Sequence, residues 1–132
     1  MREKNKSYRI RVLIISDRLQ SQAMALAKYL RDAGSIDVLG IAESRQQALE
    51  IAQEHSFDYL IIVGYLRVEH TYEVIAELQR EGKKFLTVQW AILDSLISDF
   101  CQRYGISLKF ERTRPMEDFV KFLDVHSEND CQ

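Results

Sequence analysis

Short β-branched runs alternate with amphipathic segments along the whole chain, and nothing constrains its fold more than this alternation. Ile10 to Ile15 (IRVLII), Asp37 to Ala42 (DVLGIA), Leu60 to Val63 within FDYLIIVGYLR, Phe85 to Gln89 (FLTVQ) and Leu108 to Glu111 read as strands. The third run is apolar at consecutive positions and is broken by Gly64, the pattern of a strand covered on both faces. Between the runs, apolar residues recur at helical spacing. They are Ala23, Met24, Leu26, Ala27 and Leu30, closed by Gly34; Ala48, Leu49, Ile51 and Ala52; and Tyr72, Ile75, Ala76 and Leu78, stopped near Gly82. Ile92, Leu93, Leu96, Ile97, Phe100 and Cys101 predict a fourth helix ending at Gly105, and Phe119, Val120 and Leu123 a fifth. Ser44 followed by Gln47 is a capping-box signature, and Pro115 with Glu117 and Asp118 marks the start of the last helix. Strands alternating with helices at a period of about 25 residues predict an α/β fold, a doubly wound parallel sheet of five strands.

At 132 residues the chain fits one domain, and 46% hydrophobic with 29% charged residues excludes a disordered polymer. No apolar run is long enough to span a bilayer, and the basic start MREKNKSYRIR lacks the apolar core of a signal peptide. Two cysteines, Cys101 and Cys131, without CxxC spacing fit a reduced, cytoplasmic protein. A net charge of −2 does not favour nucleic acid as a partner, and no membrane partner is expected. Arg2, Lys4, Lys6, Arg9 and Arg11 face only Glu3, which reads as a solvated start to the domain or as a docking arm. The expected organisation is a basic extension (1–7), one domain (8–125) and a polar tail (126–132), with no output domain after the last helix.

In open α/β sheets, ligands bind outside the carboxyl ends of the strands. At the third strand that place is occupied by Val63-Gly64-Tyr65, which has no acid, thiol, hydroxyl nucleophile or imidazole. His55, His70 and His126 have no metal-ligand spacing and read as solvent-facing, and SDRLQSQ is no phosphate-binding glycine loop, so neither metal nor cofactor is expected.

VLIISDR (Val12 to Arg18) and IDVLGIAESRQQALEIAQEHSFDYLII (Ile36 to Ile62) resemble the receiver domains of bacterial two-component response regulators, and the resemblance extends over residues 8–125. It implies the flavodoxin-like strand order 2-1-3-4-5. Receivers transfer a phosphoryl group to an aspartate with help from a divalent metal, a hydroxyl and a lysine. Carried over, the nucleophile falls on Val63 and the acid pair on Ser16 and Asp17. The hydroxyl falls on Gln89, and the lysine on Arg112 or Arg114 depending on the anchor. Asp58 starts the same strand roughly 16 Å from its tip and cannot substitute. The resemblance therefore implies a degenerate, non-catalytic pseudo-receiver lacking the phosphoacceptor.

Asp17 is then left as a cation ligand, a helix N-cap, or the ion-pair partner of Arg112 or Arg114; the arginines could instead form an anion-binding pair. Trp90, placed just past the fourth strand, either fills the vacated pocket or anchors a contact, and Tyr65 invites the same two readings. Trp90, Ile92, Leu96, Tyr104 and Phe110 form the expected interaction face, for a protein partner or a second copy in a homodimer. The rival reading is a small-molecule sensor whose pocket is lined by Ser16, Asp17, Gln89, Trp90 and Arg112.

Overall fold

A computed structural model describes residues 9–131. The expected basic extension, 1–7, lies outside the described residues, as does the side chain of Cys131. Five parallel strands form one sheet in the order β2-β1-β3-β4-β5: β1 (Ile10–Ile15), β2 (Ile36–Ala42), β3 (Tyr59–Val63), β4 (Leu86–Ala91) and β5 (Leu108–Glu111). The helices are α1 (Gln20–Asp32), α2 (Arg45–Glu54), α3 (Val74–Arg80, entered through a 3-10 turn at Glu69–Glu73), α4 (Ser95–Tyr104) and α5 (Met116–Cys131). This is the doubly wound architecture that the alternation of strands and helices predicts, in the flavodoxin-like strand order that the receiver resemblance implies.

Strand alternation sorts the core into two layers. Leu13, Ile15, Leu60 and Ile62 face α2, α3 and α4, packing on Ala48, Ala52, Ile75, Leu78 and Ile97. Ile10, Val12, Ile14, Tyr59, Ile61 and Val63 face α1 and α5, against Ala23, Leu26, Leu30, Phe119 and Leu123. All five residues of β3 are buried, as its unbroken apolar run requires. Ser44 caps α2 as expected, accepting the Gln47 N–H on Oγ at 3.1 Å, while Gln47 Oε1 reaches one residue past the cap to accept the Glu43 N–H at 2.6 Å. The register of β1 on β2 slips where Leu39 and Gly40 pass Leu13. A Cβ on Gly40 would stand 3.1 Å from Ile51 Cδ1, so glycine there lets α2 lie close on the sheet.

Several boundaries differ from expectation: Tyr72 falls in the 3-10 turn rather than in α3, and β4 begins at Leu86 rather than Phe85. Ile92 and Leu93 precede α4 rather than belonging to it, because Asp94 caps that helix by accepting the Ile97 N–H at 2.9 Å. Trp90 lies inside β4, not after it. Residues 126–131 continue α5 rather than forming a separate tail.

Candidate functional site

The strand tips are closed by hydrogen bonds that begin at the first carboxyl end. Ser16, fully buried after β1, accepts the Leu19 N–H on its hydroxyl at 3.2 Å, and its carbonyl accepts Gln20 Nε2 at 2.9 Å. Asp17 points across to the loop after β3. Its Oδ1 accepts the Arg67 N–H at 2.6 Å and its Oδ2 the Val68 N–H at 2.9 Å. A carboxylate holding two backbone donors in this way is a fixed brace. Asp17 therefore neither caps a helix, since Leu19 occupies that position without a side-chain cap, nor pairs with Arg112 or Arg114. Arg112 Nη1 donates to Gln22 Oε1, while Arg114 pairs with Asp118 at 3.5 Å and lies 4.6 Å over the Phe110 ring.

At the tip of β3 the Val63 side chain is fully buried against the α1 and α5 layer. Gly64 follows with φ +69°, and its N–H donates to the Trp90 carbonyl at 2.9 Å. A Cβ at Gly64 would meet the end of the Leu19 side chain, Cδ1, at 2.5 Å, and the left-handed turn requires glycine. Gln89 is fully buried, and its Nε2 donates to the carbonyls of Ile62, at 3.3 Å, and of Gly64. It works as an internal clasp between β4 and the turn after β3, with its Oε1 left without a partner among the described residues.

The loop is pinned from a third side by Tyr72, which sequence reasoning had counted only as a helical apolar residue. Its hydroxyl accepts the Leu66 N–H at 3.1 Å, and its ring stacks on Tyr104 at 4.7 Å and Phe100 at 5.1 Å. Burial pushes the phenol from an ordinary value near 10 up to about 12, against the smaller opposing effect of the Leu66 hydrogen bond. The fold thus favours the neutral phenol. That contribution is fully present below about pH 10 and is lost as pH rises through about 12. Urea titrations between those pH values should show the wild-type midpoint falling more steeply than that of Tyr72→Phe; parallel slopes would contradict the assignment.

Two cavities flank this braced loop. The larger, about 430 Å³, opens between the start of α2 and the 3-10 turn. Its arginine is committed: Arg45 bonds Glu77 at 2.7 Å and His70 at 2.9 Å, and that guanidinium holds the Glu77 carboxyl below its ordinary value. The smaller, about 210 Å³, lies at the tips themselves and is lined by residues including Arg18, Leu19, Tyr65, Ala91, Ile97 and Arg112. Of the five residues expected to line a tip pocket, it contains only Arg112. Ser16, Gln89 and Trp90 are buried, and Asp17 faces the larger cavity. Arg112, not Arg114, is the arginine at the tips. On β4 the residue lining the cavity is Ala91, two positions beyond Gln89, and it has no hydroxyl.

The expected interaction face is likewise divided. Trp90 (6% exposed) and Phe110 (1%) are core residues, Phe110 packing on Phe119 at 4.8 Å and Phe122 at 5.3 Å. Tyr104 is half-buried in the Tyr72 stack, which leaves Ile92 and Leu96 exposed, joined by Leu93. Tyr65 is half-buried, stacked 6.4 Å from Phe100 and covered by the Arg18 guanidinium at 4.5 Å. Of the histidines, His70 is exposed as expected, whereas His55 and His126 are half-buried. His126 lies 4.4 Å from the Phe122 ring, and His55 Nδ1 is 3.4 Å from Arg11. Among the described residues no group of three His, Cys, Asp or Glu side chains could hold a metal, and no helix is long and apolar enough to cross a membrane.

No protein-family model matches this chain, and neither does any curated protein. Solved structures do. The signal receiver domain of the putative response regulator NarL from Mycobacterium tuberculosis superposes with a TM-score of 0.75 at 17% identity, over 92% of this chain and 98% of that one. Vibrio cholerae chemotaxis protein CheY4 gives 0.68 at 21% identity, over 88% and 97%. A Saccharomyces cerevisiae co-crystal of the histidine phosphotransfer protein Ypd1 with the receiver domain of Ssk1 gives 0.66 at 18%, over 88% and 87%. The order of elements, the sheet topology and these superpositions agree: the fold of this chain is that of response-regulator receiver domains.

Proposed function

We propose that this chain is a degenerate receiver, a non-catalytic signalling module that works through protein contacts without accepting a phosphoryl group. One observation carries the reading. The residue at the β3 tip is a fully buried valine, and the remaining acid, Asp17, has both oxygens taken by backbone N–H groups. Magnesium needs near-octahedral oxygen ligation, and a single carboxylate already turned toward the loop backbone supplies too little of it. We place the module in the cytoplasm, with neither nucleic acid nor membrane as partner. The yeast receiver crystallised with a phosphotransfer protein shows that this fold can present a surface to a protein.

The contact surface lies at the start of α4, where Ile92, Leu93 and Leu96 are 47%, 38% and 44% exposed, and a second copy of the chain is its occupant. Sedimentation velocity tests this directly. Wild type should sediment as a dimer whether or not acetyl phosphate and magnesium are present, and Leu96→Asp as a folded monomer. A dimer that appears only after acetyl phosphate treatment would overturn the reading. A second reading, a small-molecule sensor, is favoured by the arginine-lined cavity at the tips.

A further inference from the structure

Arg18 and Arg112 both line the 210 Å³ cavity, and neither has a carboxylate partner among the described residues. Arg112 is held by neutral Gln22, and Arg18 lies over the Tyr65 ring with its Cζ 4.5 Å from the centroid. A ring face takes no hydrogen bond from the guanidinium's N–H edge, and that edge matches a carboxylate in two parallel hydrogen bonds. Asp94 is the one acid at the cavity, and its Oδ1 is engaged in capping α4. Two cations against one anion leave a net charge of +1, which suits a monoanion.

Apart from Gln22, which holds Arg112, the rest of the wall is largely apolar: Leu19, Ala91, Ile92 and Ile97, with the Tyr65 ring. The volume falls below the range of about 300–1,000 Å³ typical of drug-sized ligands, so the occupant is small. The larger cavity offers no comparable site, because its Arg45 is already paired with Glu77. We propose that the cavity at the strand tips is a binding site for a small monocarboxylate with an apolar body, held by Arg18 and Arg112 and packed against Leu19, Tyr65 and Ile97. This deepens the sensor reading and does not depend on dimerisation, so its failure would leave the sedimentation result untouched.

Benzoate and hexanoate serve as probes, with benzamide and inorganic phosphate as controls, titrated into the full chain and followed by ¹H–¹⁵N NMR. Both carboxylates should produce saturable shifts at the Gly64, Tyr65 and Ile92 amides, and benzamide none. Arg112→Gln and Arg18→Gln should each weaken binding roughly ten-fold, the scale of losing one charge-assisted contact, while Arg114→Gln leaves it unchanged. Arg18 is exposed, so its variant remains informative if Arg112→Gln fails to fold. No saturable shift with either carboxylate would overturn the proposal. So would equal binding of benzamide, or saturation by phosphate alone, which would mark an inorganic-anion site.

Discussion

Phe119→Ala should remove about 3–5 kcal/mol of stability, a large part of the roughly 5–15 kcal/mol that holds a domain of this size folded. Phe119 is fully buried on α5, its ring 4.8 Å from Phe110 on β5 and 6.0 Å from Phe122. Those rings join the edge strand to the last helix. The β5 edge has four residues and pairs only with β4, so it has little else to hold it. Truncation leaves a cavity that neighbouring aromatics cannot close without leaving their rotamers. Equilibrium urea unfolding should show the midpoint falling sharply with an unchanged slope. A loss under about 1 kcal/mol would mean that the cluster is loosely packed.

Asp17→Ala should cost about 1–2 kcal/mol, since it removes two charge-assisted hydrogen bonds whose donors, on exposed Arg67 and Val68, can turn to water. The loss should be local. Hydrogen exchange at Arg67 and Val68 should accelerate, while amides of β1 and β3 keep protection until global unfolding. Asp17→Asn, which retains one acceptor oxygen, should fall between the two. If Asp17 were instead an ion-pair partner, Arg112→Gln would reproduce the effect. With Arg112 bonded to Gln22, it should leave Arg67 and Val68 exchange unchanged.

The fold was legible because each element carries its own periodic signal. The β3 run, the Ser44–Gln47 cap and Gly105 (φ +72° after α4) each encode a boundary locally. Errors arose where a period fitted two conformations. Ile92 and Leu93 continue the apolar spacing of α4 backwards, and only the capping bond of Asp94 shows that the helix starts later. The candidate site was legible in what it lacks but not in what replaces it. That Val63 is no nucleophile is plain in the sequence. That Asp17 reaches fifty residues ahead to brace a loop depends on side-chain direction, which spacing does not encode. Trp90 and Phe110 are common contact residues by type, and burial was decided by strand alternation: both fall on the face covered by α1 and α5. Arg18 drew no attention in the sequence, because its role appears only when Tyr65 and Arg112 come beside it.

Intact-mass spectrometry after incubation with acetyl phosphate and magnesium tests the central claim most directly. With valine at the β3 tip and Asp17 bound to the backbone, the chain should keep its unmodified mass under conditions that phosphorylate a receiver with an intact acceptor aspartate. A hydroxylamine-labile phosphoryl adduct on any aspartate of this chain would contradict the account.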